Sequence, residues 1–132
     1  MSRFYFMPKR PTGLSEQAVR IWKSLGPKLH ELGLLAEIDA STFAIYCQAF
    51  GDWLQITRHL NRLGPLKWYS VTESGYRRTI PELQVRDRAF QVLHKLSTRF
   101  GLDPSSRAGL GVVAERSPDF AEEFLFNPRV IE

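Results

Sequence analysis

The chain has 132 residues, 43% of them hydrophobic and 24% charged, with a formal net charge of +4 and a pI near 9.5. Those proportions fit one globular domain with a single modest core, and they exclude both wholesale disorder and a comfortable pair of domains. No apolar run approaches the roughly 18 residues of a membrane span, and the basic start lacks the apolar stretch of a secretory signal, so the chain reads as cytoplasmic.

Residues 1–13 mix aromatic and basic side chains with two prolines and follow neither the helix nor the strand period, which is the pattern of a flexible basic arm carrying Arg3, Lys9 and Arg10. From Leu14 the apolar positions Ala18, Ile21, Trp22, Leu25, Leu29 and Leu32 recur in steps of three and four, predicting a helix with Ser15 as its N-cap and Gly33 as its stop. Gly26-Pro27 lies inside it. Because proline removes a backbone donor and crowds the preceding turn, a kink or brief break is expected there.

Asp39 is the expected N-cap of a second, long helix ending at Gly64-Pro65, with Phe43, Tyr46, Cys47, Phe50, Leu54 and Leu60 on its apolar side. Residues 66–80 change character. β-branched and aromatic residues flank Glu73-Ser74-Gly75, a turn signal, so a β-hairpin is expected. Such a ribbon is marginal alone and needs a surface to hold it. Pro81 suits the first turn of a third helix, whose stripe of Val85, Ala89, Val92, Leu93, Leu96 and Phe100 ends at Gly101. After Gly111 the pattern weakens into an acidic aromatic tail, in which Ser117-Pro118-Asp119 could open a short helix. The expected architecture is mainly α: a three-helix core with a long central helix, a small hairpin between helices two and three, and a short C-terminal helix or tail. Residues 1–13 form the arm, 14–110 the domain and 111–132 the tail.

No catalytic constellation emerges. His30, His59 and His94 fall on three different helices, the glycine pairs lack the strand and helix of a phosphate loop, and no Walker-type lysine is present. Cys47, the single cysteine, cannot form an internal disulfide, and its aromatic neighbours make it a buried thiol and not a nucleophile. The chain therefore reads as a non-enzyme without cofactor or metal.

Charge is more informative, because Lys and Arg neutralise phosphates and release counterions. Three basic clusters are candidates for DNA contact: Arg3, Lys9 and Arg10 in the arm; Arg20, Lys23 and Lys28 on the first helix; and Arg58, Arg62, Lys67, Arg77 and Arg78 beyond. Solvated helix faces carry similar charges. Trp68, Tyr69 and Tyr76 in the hairpin are candidates for a subunit interface, since exposed aromatics beside arginine are typical of interface anchors.

Leu14-Ser15-Glu16-Gln17-Ala18, then Trp22, Pro27, Leu29, Gly33-Leu34-Leu35 and Asp39, resemble the opening of a phage small-terminase family. Tyr46, Ala49, Phe50, Gly64, Pro81 and the ending Phe100-Gly101-Leu102-Asp103-Pro104-Ser105-Ser106-Arg107 continue that resemblance across about residues 14–110. Phe100 stands where the family ending often has leucine, and Gly109 where a second arginine is frequent. The resemblance implies a non-catalytic subunit in the cytoplasm of a bacterial host. It would assemble into a homo-oligomeric ring, bind double-stranded viral DNA at the packaging-initiation region and pass it to the large terminase subunit, an ATPase and nuclease. Under that reading the tail residues Phe120, Glu123, Phe124 and Phe126 are candidates for docking the large subunit. A dimeric helical regulator that binds DNA, and a virion adaptor that does not, stay open beside it.

Overall fold

A computed structural model of the chain describes residues 7–102. The short C-terminal helix or tail expected after Gly111 lies outside the described residues, as does the start of the arm. Three helices, α1 (Glu16–Glu31), α2 (Ala40–Leu63) and α3 (Pro81–Arg99), form the body. A two-stranded antiparallel hairpin, β1 (Tyr69–Val71) and β2 (Arg77–Thr79), interrupts them between α2 and α3.

The Ser15 hydroxyl accepts from the Ala18 amide at 3.1 Å, the N-cap its position predicts. Its backbone amide donates to Gln48 Oε1 at 3.0 Å, and Gln48 Nε2 in turn donates to Asp52 Oδ1 at 2.9 Å, which ties the start of α1 to the middle of α2. The helix ends as its glycine requires. Gly33, at φ +76°, donates to His30 O while the Leu34 amide reaches back to Leu29 O at 2.8 Å, satisfying carbonyls that a left-handed residue leaves accessible. Gly101, Leu102, Thr98 and Ser97 repeat this arrangement at the end of α3.

Two expectations are corrected. No break occurs at Gly26-Pro27, and α1 runs across them as one helix. Leu25 and Leu29 are buried on either side of the proline, so both turns are held against the same core and the missing donor costs a hydrogen bond without ending the helix. Asp39 stands at the N-cap position of α2, but its carboxylate does not cap that helix. A 3₁₀ turn at Glu37–Asp39 precedes α2, and Asp39 Oδ2 folds back to accept from the Ala36 amide at 3.0 Å, closing that turn.

The core is dense in aromatic rings. Phe43 packs at 4.9 Å from Trp22 and 5.4 Å from Phe100, and Tyr46 bridges Phe50 and Phe100. These contacts place α1 and the end of α3 on the first half of α2. Burial of the Ala18, Ile21, Trp22, Leu25 and Leu29 face and of Phe43, Tyr46, Cys47, Phe50 and Leu54 agrees with the periodic reading. Residues 7–13 adopt neither helix nor strand, but Met7 packs against the core and Pro8 is buried.

α1 and α2 approach closely at Gly51. A methyl group built there would lie 3.2 Å from the Ala18 nitrogen and 3.3 Å from Gln17 Cβ. The 24 residues of α2 span about 36 Å at roughly 1.5 Å per residue. The chain enters α1 next to Gly51, so the last twelve residues of α2 extend beyond α1, accompanied by the start of α3 and the hairpin.

Candidate nucleic-acid interface

The extended end of the molecule carries the charge. Residues 58–88 hold seven Arg and Lys side chains against three acids, a net of +4 that equals the formal charge of the whole chain. Two of those acids are engaged: Glu82 lies 3.5 Å from His59 Nε2, and Asp87 lies 3.5 Å from Arg86 Nε.

Arg58 is half-buried on α2, whereas Arg62, Lys67, Arg77 and Arg78 are exposed. Lys23 and Lys28 are exposed on α1, and Arg20 lies 3.6 Å from Glu16, one turn away. Lys9 is exposed and Arg10 half-buried before α1. The fold thus brings the Arg58 to Arg78 group together at one end, with the α1 group on the separate outer face of the bundle. Arg3 and the tail residues Phe120, Glu123, Phe124 and Phe126 lie outside the described residues.

The hairpin aromatics divide. Trp68 is half-buried, donates its indole N–H to Leu60 O at 3.0 Å and has the Arg86 guanidinium 5.5 Å above its ring. It anchors the hairpin to α2 and α3. Tyr69 and Tyr76 are exposed, and Arg77 lies 5.9 Å over the Tyr69 ring. All six strand residues are exposed. The loop is pinned by backbone bonds from Thr72 N to Tyr76 O and from Gly75 N to Thr72 O, while Thr72 Oγ1 accepts from the Tyr76 amide. A polar hollow of about 580 Å³ lies between β2 and the first turn of α3, lined by Ser70, Tyr76, Arg77, Arg78 and Gln84.

A second surface was not separable from core by sequence spacing. Val85, Ala89 and Val92 share a stripe with Leu93, Leu96 and Phe100, yet only Leu96 and Phe100 of these are buried. Val85 remains 51% exposed, Val92 38%, and Ile45 on α2 56%. Together with Ala49 and Ala89 they line an apolar groove between α2 and α3, rimmed by Asp52 on one wall and Arg88 on the other.

The histidines have separate settings. His30 Nδ1 is 3.2 Å from Leu35 O, His59 faces Glu82, and His94 stacks on Phe90. Burial pushes the Cys47 thiol pKa well up, and also that of the Tyr46 phenol, which the neighbouring thiolate would raise further. Among the described residues, no group of three His, Cys, Asp or Glu side chains could hold a metal ion, and no helix is long and apolar enough to cross a membrane.

The described residues thus form a three-helix body with an exposed cationic hairpin. The family model of the phage terminase small subunit matches residues 18–117, so the chain belongs to that family and its role lies in phage DNA packaging. No curated protein and no solved structure matches it.

Proposed function

We propose that this chain recognises viral DNA at the packaging-initiation site, assembles into a ring, and recruits or regulates the large terminase subunit, acting in the host cytoplasm as the non-catalytic partner. The observation that carries the DNA contact is the concentration of Arg58, Arg62, Lys67, Arg77 and Arg78 at one end of a packaging-family chain. A closed ring repeats that end around its axis, so a modest charge per chain becomes a strong field for a polyanion. Arg3, Lys9, Arg10, Arg20, Lys23 and Lys28 add contacts along the DNA path.

Subunit association is supported by the groove of Ile45, Ala49, Val85, Ala89 and Val92. Its occupant is a second copy of the chain in head-to-tail contact, as a closed ring requires, with Asp52 and Arg88 on opposite walls offering an acid and a base to charged partners on that copy. Tyr76, which lines the hollow beside the first turn of α3, extends that contact toward the hairpin. The tail residues Phe120, Glu123, Phe124 and Phe126 dock the large subunit.

Light scattering of the purified chain, with and without a duplex from its own genome's packaging region, tests the reading. A mass of many subunits with salt-dependent DNA binding is expected. A monomer or dimer in both conditions would remove the ring and favour a helical regulator or an adaptor. Deleting residues 112–132 should weaken capture of the large subunit while leaving DNA affinity unchanged.

A further inference from the structure

Resting on the DNA-binding reading above, we infer that the β-hairpin enters the major groove as a two-stranded ribbon, with Arg77 reading guanine and Arg78 holding the phosphate backbone. An isolated two-stranded ribbon is marginal in water, and proteins usually bury one of its faces. Here Tyr69, Ser70, Val71, Arg77, Arg78 and Thr79 are all exposed. The ribbon is nevertheless built to keep its shape. Trp68 fixes its base through Leu60 O, the Ile80 amide closes onto Trp68 O at 3.0 Å, and Thr72 closes the tip through Tyr76.

Two strands about 4.8 Å apart, with their side chains, match a groove about 12 Å wide. The register pairs Tyr69 with Thr79, Ser70 with Arg78 and Val71 with Arg77. Alternation therefore puts Tyr69, Val71, Arg77 and Thr79 on one face and Ser70 and Arg78 on the other. The first face carries a guanidinium able to pair with guanine O6 and N7, beside two methyl-bearing side chains suited to thymine. The Tyr69 ring under Arg77 limits the swing of that guanidinium and so aims it.

Charge selects nucleic acid over a second hairpin. Residues 66–80 hold Lys67, Arg77 and Arg78 against Glu73 alone, and pairing of two copies through their β2 edges would bring their arginines together.

The test uses the full-length chain and the tightest-binding duplex from its own genome's packaging region, alongside the same duplex with 7-deazaguanine, which lacks the major-groove N7 acceptor. Arg77→Ala should weaken binding roughly tenfold and abolish the difference between the two duplexes, whereas Arg77→Lys should keep the salt dependence but lose most of the discrimination. Arg78→Ala should lower the slope of log affinity against log salt by about one without changing discrimination. Helical circular dichroism of each variant should match the wild type, since both side chains are exposed.

If the wild type binds and Arg77→Ala with Arg78→Ala binds equally well, the hairpin is not the contact, although DNA recognition stands. If affinity falls but 7-deazaguanine never matters, groove entry is wrong and the ribbon touches backbone alone. If the wild type binds no duplex, both this inference and the proposed DNA recognition fall.

Discussion

Gly51 sits in the middle of α2, where alanine normally stabilises a helix by about 1 kcal/mol. The expected sign here is reversed. Ala18 N and Gln17 Cβ are rigid parts of α1, so the added methyl group must push two helices apart. Gly51→Ala should lose about 1 kcal/mol net in urea unfolding. Nothing in the sequence distinguishes this glycine from a tolerated one, because close approach belongs to a pair of helices and not to either alone. Cys47 and Tyr46 give a second prediction. Both stay protonated in the fold while the unfolded chain ionises near the ordinary values of 9.0 and 10.0. Their stability contribution is therefore complete below those values and is lost as pH rises. The decline should reach about 1.4 kcal/mol per pH unit past the thiol value and about double that past the phenol value. Urea midpoints measured from pH 7 to 11 should show Cys47→Ala escaping the first step.

The helices were legible because their apolar residues repeat at the helical period around recognisable ends. Ser15, Gly33 and Gly64 act where their chemistry places them, whereas Asp39 caps the turn before its helix, since a carboxylate can serve either set of amides. The stripe on α3 marks the limit of periodicity. Val85 and Val92 occupy the same spacing as Leu96, and spacing registers that a face is apolar without registering what covers it. The role of Trp68 was equally hidden, because an indole serves an interface or an internal anchor with the same residue type. Trp68→Phe keeps the ring and removes the bond to Leu60 O, and should cost about 1 kcal/mol. Amide exchange would locate the loss: strand protection should fall while the amides around Phe43 and Phe50 keep theirs.

At the scale of the whole molecule, the groove and the basic end make separate demands. Val85→Glu with Val92→Glu should reduce the mass seen by light scattering while helicity is retained, because both side chains are already partly exposed in the single chain. A dissociated variant should also bind DNA more weakly, although no phosphate-contacting residue has changed, since the effective concentration of neighbouring basic ends is lost. An unchanged mass would place subunit contact elsewhere. The family was readable from ordered marks along the chain, and the Arg58 to Arg78 group from its run in the sequence, whereas the addition of Arg86 and Arg88 to that end required the antiparallel return of α3 along α2.

The hairpin stands outside the shared aromatic core, fastened through its base and closed by its own loop. Its six strand side chains can therefore be exchanged with little effect on how tightly Phe43, Tyr46 and Phe100 pack. Under the DNA-reading role inferred above, recognition and foldability would rest on different residues, and a new target would be met by changes at the exposed strand positions between α2 and α3.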